Sequence, residues 1–530
     1  MNIAINHWHC GQRQTTLAQL SNTDLPWDIV VVGGGITGAG VLLEAAKRGL
    51  KCLLLEQQDF AWGTSSRSSK MVHGGLRYLA SGAFGLTRDA VQERQRLLDE
   101  APGLVENLHF FMPHYKGDFP GPKLFNKVMT LYDFMAGKQN HEFYPAKDSW
   151  RWISGLRQQN LLGATRFADA VVDDARLVLR VLSEAQEQGG QAVNYLKVMS
   201  VANSTENTKN RLINLQLQDQ LSQQTFTIQA KTVVNATGAW TDELRALLGA
   251  QAVIRPLRGS HLIIPNWRLP VACSLSFPHP QDKRPVFIFP WEGVTVIGTT
   301  DLDHKESINK EAVITPAEID YLLAAANHAL PDSQLVAADI QATIAGVRPV
   351  VGGTAKDPSK EKREHVIWDD GAMISVAGGK LTTFRLIALD VLNIAAKYLP
   401  DAAKNADSRV FKALTHTRPQ NLTQKQWLRL SGHYGQHATR ISQLSAKPVA
   451  NTDTLWGELI WAVGHESVQH LDDLLLRRTR LGLLLSQGGL QLKDELETLC
   501  QQQLSWDAQQ FEQEWQRYLK IWQEYYSCPL

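Results

Sequence analysis

The sequence predicts an α/β fold in three parts: a parallel-sheet domain assembled from separate stretches of chain, a second domain built on an antiparallel sheet, and a C-terminal α-helical domain. Three observations predict it. A strand, a glycine turn, a helix and a second strand follow one another over residues 28–56, further strand-to-glycine turns return near residues 237 and 378, and from about residue 405 the chain becomes rich in Gln, Leu and charge with helical periodicity. At 530 residues the chain also exceeds what one hydrophobic core serves, so two or three domains, each with its own apolar interior, are expected.

Taken in order, residues 1–26 read as an N-terminal tail with no assigned function. They lack the basic start and apolar run of a secretory signal, and nowhere does an apolar stretch approach the roughly 20 residues that cross a bilayer. His7, Trp8, His9 and Cys10 include metal-ligand types, but an unsupported tail does not preorganise ligands, so no metal is assigned. The five cysteines (Cys10, Cys52, Cys273, Cys500, Cys528) are far apart and form no C-x-x-C pair. This argues against a disulfide framework, a structural zinc or an iron–sulfur cluster, and fits a reducing cytosol. With 54 Lys and Arg against 53 Asp and Glu, the net charge of +1 supplies no global field for nucleic acid.

Residues 28–32 (DIVVV) suit a buried parallel strand and lead directly into Gly33, Gly34, Gly35, Ile36, Thr37, Gly38, a G-x-G-x-x-G turn. Residues 39–49 have helical composition and end on glycine, and residues 51–55 (KCLLL) form a second strand closed by Glu56. Each part has a physical purpose: Gly33 makes the tight turn, Gly35 lets a pyrophosphate approach the backbone, and Gly38 lets the helix pack closely on the strand. The helix N-terminus faces the phosphates, and Glu56 stands where a carboxylate accepts hydrogen bonds from an adenosine ribose while repelling the extra phosphate of NADP. The unit is Rossmann-like, and FAD and NAD both remain open.

Three later segments favour FAD, which is held along its length by pieces returning from distant chain. In residues 64–78 (TSSRSSKMVHGGLRY), Thr64, Ser65, Ser66, Ser68, Ser69, His73, Gly74 and Gly75 suit a loop wrapping a pyrophosphate and a flavin edge. Residues 233–240 (VVNATGAW) form a strand ending at Thr237 and Gly238, which permits close backbone approach. Residues 374–384 (ISVAGGKLTTF) run from a strand through Gly378 and Gly379 to a helix start at Lys380, Leu381 and Thr382. There, backbone N–H groups are placed to stabilise negative charge on a reduced ring.

The motifs TSSRSSKMVHGGLRY, VDDARLVL, NATGAW, RGSHLIIP, IGTTD, GVRP and GGKLTT resemble those of the FAD-dependent, quinone-linked (aerobic) glycerol-3-phosphate dehydrogenases. The match covers most of residues 28–400 and extends more loosely to residues 462–484, which resemble that family's helical cap. The resemblance implies a discontinuous Rossmann-like FAD-binding domain (27–110, 165–255 and 345–400), an antiparallel-sheet substrate domain (111–164 and 256–344) and a C-terminal helical domain (401–530). Within the substrate domain, residues 285–301 read as two apolar strands joined by a turn at Glu292 and Gly293. In residues 507–525, Phe511, Trp515, Tyr518, Leu519 and Trp522 share one helical face, read as packing.

The activity implied is oxidation of sn-glycerol 3-phosphate to dihydroxyacetone phosphate by hydride transfer to FAD. Besides the hydride acceptor, the reaction needs a group that takes the hydroxyl proton and cations that hold the phosphate. The family pattern places Arg77, His261, Arg348 and Lys380 there. Arg348 suits a bidentate phosphate clamp that Arg77 shares, His261 suits the general base, and Lys380 polarises the hydroxyl or assists the phosphate. An exchange of duties between His261 and Arg348 stays open, and His73 reads as a flavin contact. Two other readings share the architecture: an amine or amino-acid oxidase, against which the cationic residues argue, and a non-catalytic flavin-binding protein.

For the electrons, the family uses a quinone or dioxygen. The oxygen-using members resemble longer chains with an insertion absent here, which favours ubiquinone or a similar quinone and a cytoplasmic location peripheral to the inner face of the cell membrane. Residues 122–138 place Leu124, Phe125, Val128, Met129, Leu131, Tyr132 and Met135 beside Lys123, Lys127 and Lys138, the pattern of an interfacial amphipathic helix or of a buried helix with a basic edge. A homodimer is compatible with all of this.

Overall fold

The structure is a computed structural model that describes residues 10–22, 25–75, 84–137, 139–203, 212–352, 364–371, 373–399 and 409–529. Arg77 and Lys138 lie outside these residues.

Two sheets organise the described chain. The first runs in the order Val366–Asp369, Met373–Ala377, Thr225–Asn235, Trp27–Val32, Cys52–Leu55, Gln191–Val193, with a Leu196–Asn203/Ile213–Asp219 hairpin joined to Thr225–Asn235. From Met373–Ala377 to Gln191–Val193 the pairing is parallel, and the central strands are buried on both faces, which explains their unbroken Val, Ile and Leu runs. Helices Ile36–Ala46, Asp174–Glu187 and Phe384–Ala395 share a core with this sheet.

The second sheet is mainly antiparallel and includes Val105–Tyr115, Leu161–Val172, Ile254–Pro265, Ser274–Pro278, Pro285–Trp291, Val294–Gly298 and Ala342–Val351. Its hairpin turns at Glu292 (φ 46°) and Gly293 (φ 85°), where two left-handed residues match the twist of the flanking strands. The sheets exchange chain in an unexpected way. Division points at 110, 164 and 344 fall inside Val105–Tyr115, Leu161–Val172 and Ala342–Val351, each of which is continuous in the second sheet. We therefore propose divisions at the ends of these strands, which motif order alone does not locate.

Two further expectations change. Residues 10–22 are a docked helix rather than a loose tail: the Arg13 guanidinium is buried against Asp219 (2.5 Å) and the Asn194 carbonyl (3.1 Å). The C-terminal helices also lack a wholly separate core. Phe511, Trp515, Tyr518 and Trp522 on the helix Ala508–Tyr525 join one cluster with Phe110, Phe167, Phe289 and Trp291 of the second sheet. Joining that cluster lets one helix stripe and one sheet face cover each other.

The helix Pro122–Ala136 turns Phe125, Met129 and Tyr132 into this shared core, so those three are not a membrane face. Its exposed apolar residues are Leu124, Leu131 and Phe134, the last 83% accessible, and Lys123 and Lys127 are exposed beside them.

Candidate active site

At the first glycine turn Gly33 adopts φ 113° and donates its N–H to the Leu55 carbonyl (2.8 Å). A Cβ at Gly33 would lie 2.5 Å from the Ala236 oxygen, and one at Gly38 would lie 1.9 Å from the Gly33 oxygen, so both positions need glycine for close packing. Among the described residues, the only neighbours a Cβ at Gly35 would meet are atoms of the Ser65 side chain, which leaves the backbone approachable. Ser65 accepts the Ile36 N–H (3.0 Å) and so covers the start of the helix Ile36–Ala46 from the returning loop. Glu56 closes the second strand, its carboxylate accepting from Gly34 (2.7 Å) and Gln58 (2.8 Å) backbone N–H groups, while burial pushes its carboxyl up to about 7.

The other glycine turns converge on this edge of the sheet. Gly238 (φ 61°) follows Asn235, which accepts from the Thr237 hydroxyl (2.6 Å), and among the described residues a Cβ at Gly238 would meet nothing nearer than Pro349 at 4.0 Å. Gly378 (φ 78°) and Gly379 (φ 85°) turn Met373–Ala377 into Lys380, which precedes the short 3-10 turn Leu381–Thr383, and the Lys380 ammonium is shielded from solvent. The Thr382 hydroxyl meets the His73 N–H (3.3 Å), joining segments 309 residues apart. Gly74 donates to Asp169 (3.1 Å), which also accepts from the Tyr132 hydroxyl (2.8 Å), so the inner face of Pro122–Ala136 braces the loop 73–75.

These features fit FAD. A glycine cradle at a helix N-terminus suits the pyrophosphate, Glu56 suits the ribose, and the Gly378–Thr382 turn suits the far end of an extended cofactor. The loop carrying Thr64, Ser65, Ser66, Ser68 and Ser69 lies between them, with the Thr64 hydroxyl bonded to the Val347 carbonyl.

His261, on Ile254–Pro265, reaches this loop: its Nε2 is 2.9 Å from the Ser69 hydroxyl, and its Nδ1 is buried without a hydrogen-bond partner among the described residues. Burial, then the charges of Arg348 and Lys70, push the imidazole down to about 3, so it is neutral at ordinary pH. Arg348, on Ala342–Val351, donates to Asp301 Oδ1 (2.9 Å) and Thr299 Oγ1 (3.1 Å), so a carboxylate already orients the expected clamp.

Two glycines make room for these side chains. A Cβ at Gly298 would lie 2.1 Å from His261 Cδ2, and one at Gly259 would lie 2.5 Å from Arg348 Nη2. Sequence reasoning missed Gly259, Gly298, Asp301 and Lys70 as site residues, although the first three sit in RGSH and IGTTD and Lys70 in the serine-rich loop. Lys70 is buried between Asp174 (2.8 Å) and the Ser66 carbonyl (3.1 Å), and burial together with Arg480 brings its ammonium down to about 8.

A cradle for an extended dinucleotide beneath an antiparallel sheet carrying a buried histidine and an oriented arginine defines a flavoenzyme, and the chain belongs to the FAD-dependent oxidoreductase family, whose model matches residues 28–385. FAD is its cofactor. A second model, the C-terminal domain of alpha-glycerophosphate oxidase, matches residues 390–511. Within the family the chain groups with the aerobic glycerol-3-phosphate dehydrogenases. It is 30% identical over 490 residues to that protein of Staphylococcus saprophyticus (86% of this chain, 87% of the other) and 31% identical over 502 residues to that of Staphylococcus haemolyticus (88% of each). The structure of glycerol-3-phosphate dehydrogenase from Bacillus halodurans complexed with FAD is similar at a TM-score of 0.74 and 27% identity, over 97% of this chain and 98% of that one. Glycine oxidase from Geobacillus kaustophilus shares the fold at a TM-score of 0.51 and 19% identity, over 74% of this chain and all of that one.

Proposed function

We propose that the protein oxidises sn-glycerol 3-phosphate to dihydroxyacetone phosphate and passes the electrons to a membrane quinone. Bound FAD supplies the hydride acceptor. The observation that carries the reading is the buried His261 ring, with Nε2 2.9 Å from the Ser69 hydroxyl: in the tautomer that donates Nε2–H to Ser69, Nδ1 keeps an unshared lone pair to take the hydroxyl proton. Its basicity is low in the free protein, first through burial and then through the charges of Arg348 and Lys70, and a phosphate dianion beside Arg348 offsets the part due to that cation. Arg348, held by Asp301 and Thr299, orients the phosphate, and Lys380 and Arg77 complete the cationic lining in this reading.

Anaerobic addition of sn-glycerol 3-phosphate should bleach the flavin, whereas glycine and proline should not. His261→Gln should retain FAD and slow reduction by about 10²–10⁴-fold. Bleaching by amino acids instead, or a normal rate in His261→Gln, would overturn the reading. Turnover with ubiquinone analogues should exceed turnover with dioxygen.

A quinone acceptor implies contact with the bilayer. No described helix is long and apolar enough to cross a membrane. The surface that fits peripheral contact is the outer side of Pro122–Ala136, with Leu124, Leu131 and Phe134 beside Lys123 and Lys127.

A further inference from the structure

We propose that Arg480, supplied by the C-terminal helical unit, is a positioning residue for the His261–Ser69 pair. The inference rests on the reading of His261 as the proton acceptor. Ser69 makes the one hydrogen bond to the His261 ring among the described residues, so the orientation and tautomer of the base depend on where Ser69 is held.

The residues on both sides of Ser69 are tied to Asp174. Ser68 donates its N–H (2.9 Å) and its hydroxyl (2.7 Å) to Asp174 Oδ2, and the Lys70 ammonium donates to Oδ1 (2.8 Å). Arg480 also holds that anchor, at the Oδ1 oxygen that Lys70 uses: Nη2 donates to Asp174 Oδ1 (3.0 Å) and to the Ser66 carbonyl (2.7 Å), and Nη1 donates to the Leu476 carbonyl (2.7 Å). Its Nε lies 3.5 Å from Asp173, and the guanidinium sits over the Trp291 ring.

All of these charged groups are buried, and two cations balance two carboxylates. Arg480 donates to three acceptors through two nitrogens of one rigid guanidinium, a geometry that a lysine ammonium does not reproduce. It also binds Ser66 and Asp174 at once, at the same two oxygens that Lys70 reaches from within the loop, so a residue more than 400 positions away doubles the link that holds the Ser66–Lys70 loop to Asp174. A role confined to docking the C-terminal unit would alter stability and FAD content, whereas a positioning role alters the proton-transfer step.

The test uses holoenzyme carrying Arg480→Met, Arg480→Lys or Asp174→Asn. Arg480→Met and Asp174→Asn should keep FAD and bind substrate within about threefold of wild type, yet reduce flavin at least about tenfold more slowly at saturating sn-glycerol 3-phosphate, with a changed pH profile. Arg480→Lys should recover part of the rate. Without substrate, amide hydrogen exchange over residues 64–72 should rise in Arg480→Met and less in Arg480→Lys.

Reduction rates within about twofold of wild type with an unchanged pH profile, or unchanged exchange over residues 64–72, would overturn the proposal. If Arg480→Met does not fold, Asp174→Asn decides by the same criteria. If the wild-type flavin is not reduced by sn-glycerol 3-phosphate, the functional reading fails separately and the exchange experiment still decides the positioning.

Discussion

At the scale of single residues, two kinds of constraint meet at His261. The first is steric: Gly298 leaves room for the imidazole that any Cβ would fill. Gly298→Ala should therefore retain FAD while displacing the ring and lowering flavin reduction about 10²-fold, read by anaerobic stopped flow. The second is electrostatic. His261 is held at about 3 in the folded protein against 6.5 ordinarily, so between those values the unfolded chain binds a proton that the folded chain does not. Its contribution is complete above pH 6.5, and stability falls as pH drops through the window. Denaturant unfolding should accordingly show a smaller loss from pH 6.5 to pH 4 in His261→Gln than in wild type. A dinucleotide-binding turn was legible from Gly33, Gly35, Gly38 and Glu56 because these positions lie within one short βαβ unit, whereas FAD rather than NAD rested on the segments returning at 64–78, 233–240 and 374–384. Lys70 was not legible, because a lysine in a serine-rich loop gives no local sign that Asp174, 104 positions later, will bury it.

At the scale of elements, Pro122–Ala136 shows what periodicity can and cannot reveal. Apolar residues at helical spacing announced an amphipathic segment, but they occupy more than one side, and sequence does not state which side the sheet covers. The structure gives Phe125, Met129 and Tyr132 to the core and leaves Leu124, Leu131 and Phe134 outside. The two sides should respond differently to charge. Phe134→Glu should weaken binding to anionic lipid vesicles without lowering the unfolding midpoint, whereas Phe125→Glu should destabilise by roughly 3–5 kcal/mol, since it loses a buried ring and buries a carboxylate. Equal vesicle binding by Phe134→Glu and wild type would remove this helix from any membrane contact. The Glu292–Gly293 hairpin was readable in detail because its turn chemistry is local: two left-handed positions between apolar runs leave few alternatives.

At the scale of the whole molecule, buried ion pairs lock the C-terminal unit to the loop after Cys52–Leu55 and to the helix Asp174–Glu187. Arg478 donates to Asp59 Oδ1 (2.7 Å), Arg477 reaches the same carboxylate, and Arg176 forms a two-pronged pair with Glu466 (2.6 and 2.9 Å). Asp59→Ala would leave the buried Arg478 guanidinium without a carboxylate and take one of three from Arg477, and should cost about 3–5 kcal/mol, measured from the denaturant midpoint. None of these pairs was visible in the sequence, because each joins residues hundreds of positions apart and no spacing rule connects them. Strand order has a further consequence, for synthesis. Thr225–Asn235 lies between Trp27–Val32 and Met373–Ala377, so the sheet that forms the cradle stays unfinished until the later strand has been made. Arg477 follows Asp59 by 418 residues, an interval of roughly 20–80 s at translation rates of about 5–20 residues per second. Until Met373–Ala377 is made the nascent chain carries an open sheet edge, and for the whole of that interval it carries a carboxylate awaiting its partners. Cofactor capture thus belongs to the end of translation or after it, and chaperones that shield early strands should raise the yield of flavin-loaded protein more than added flavin does.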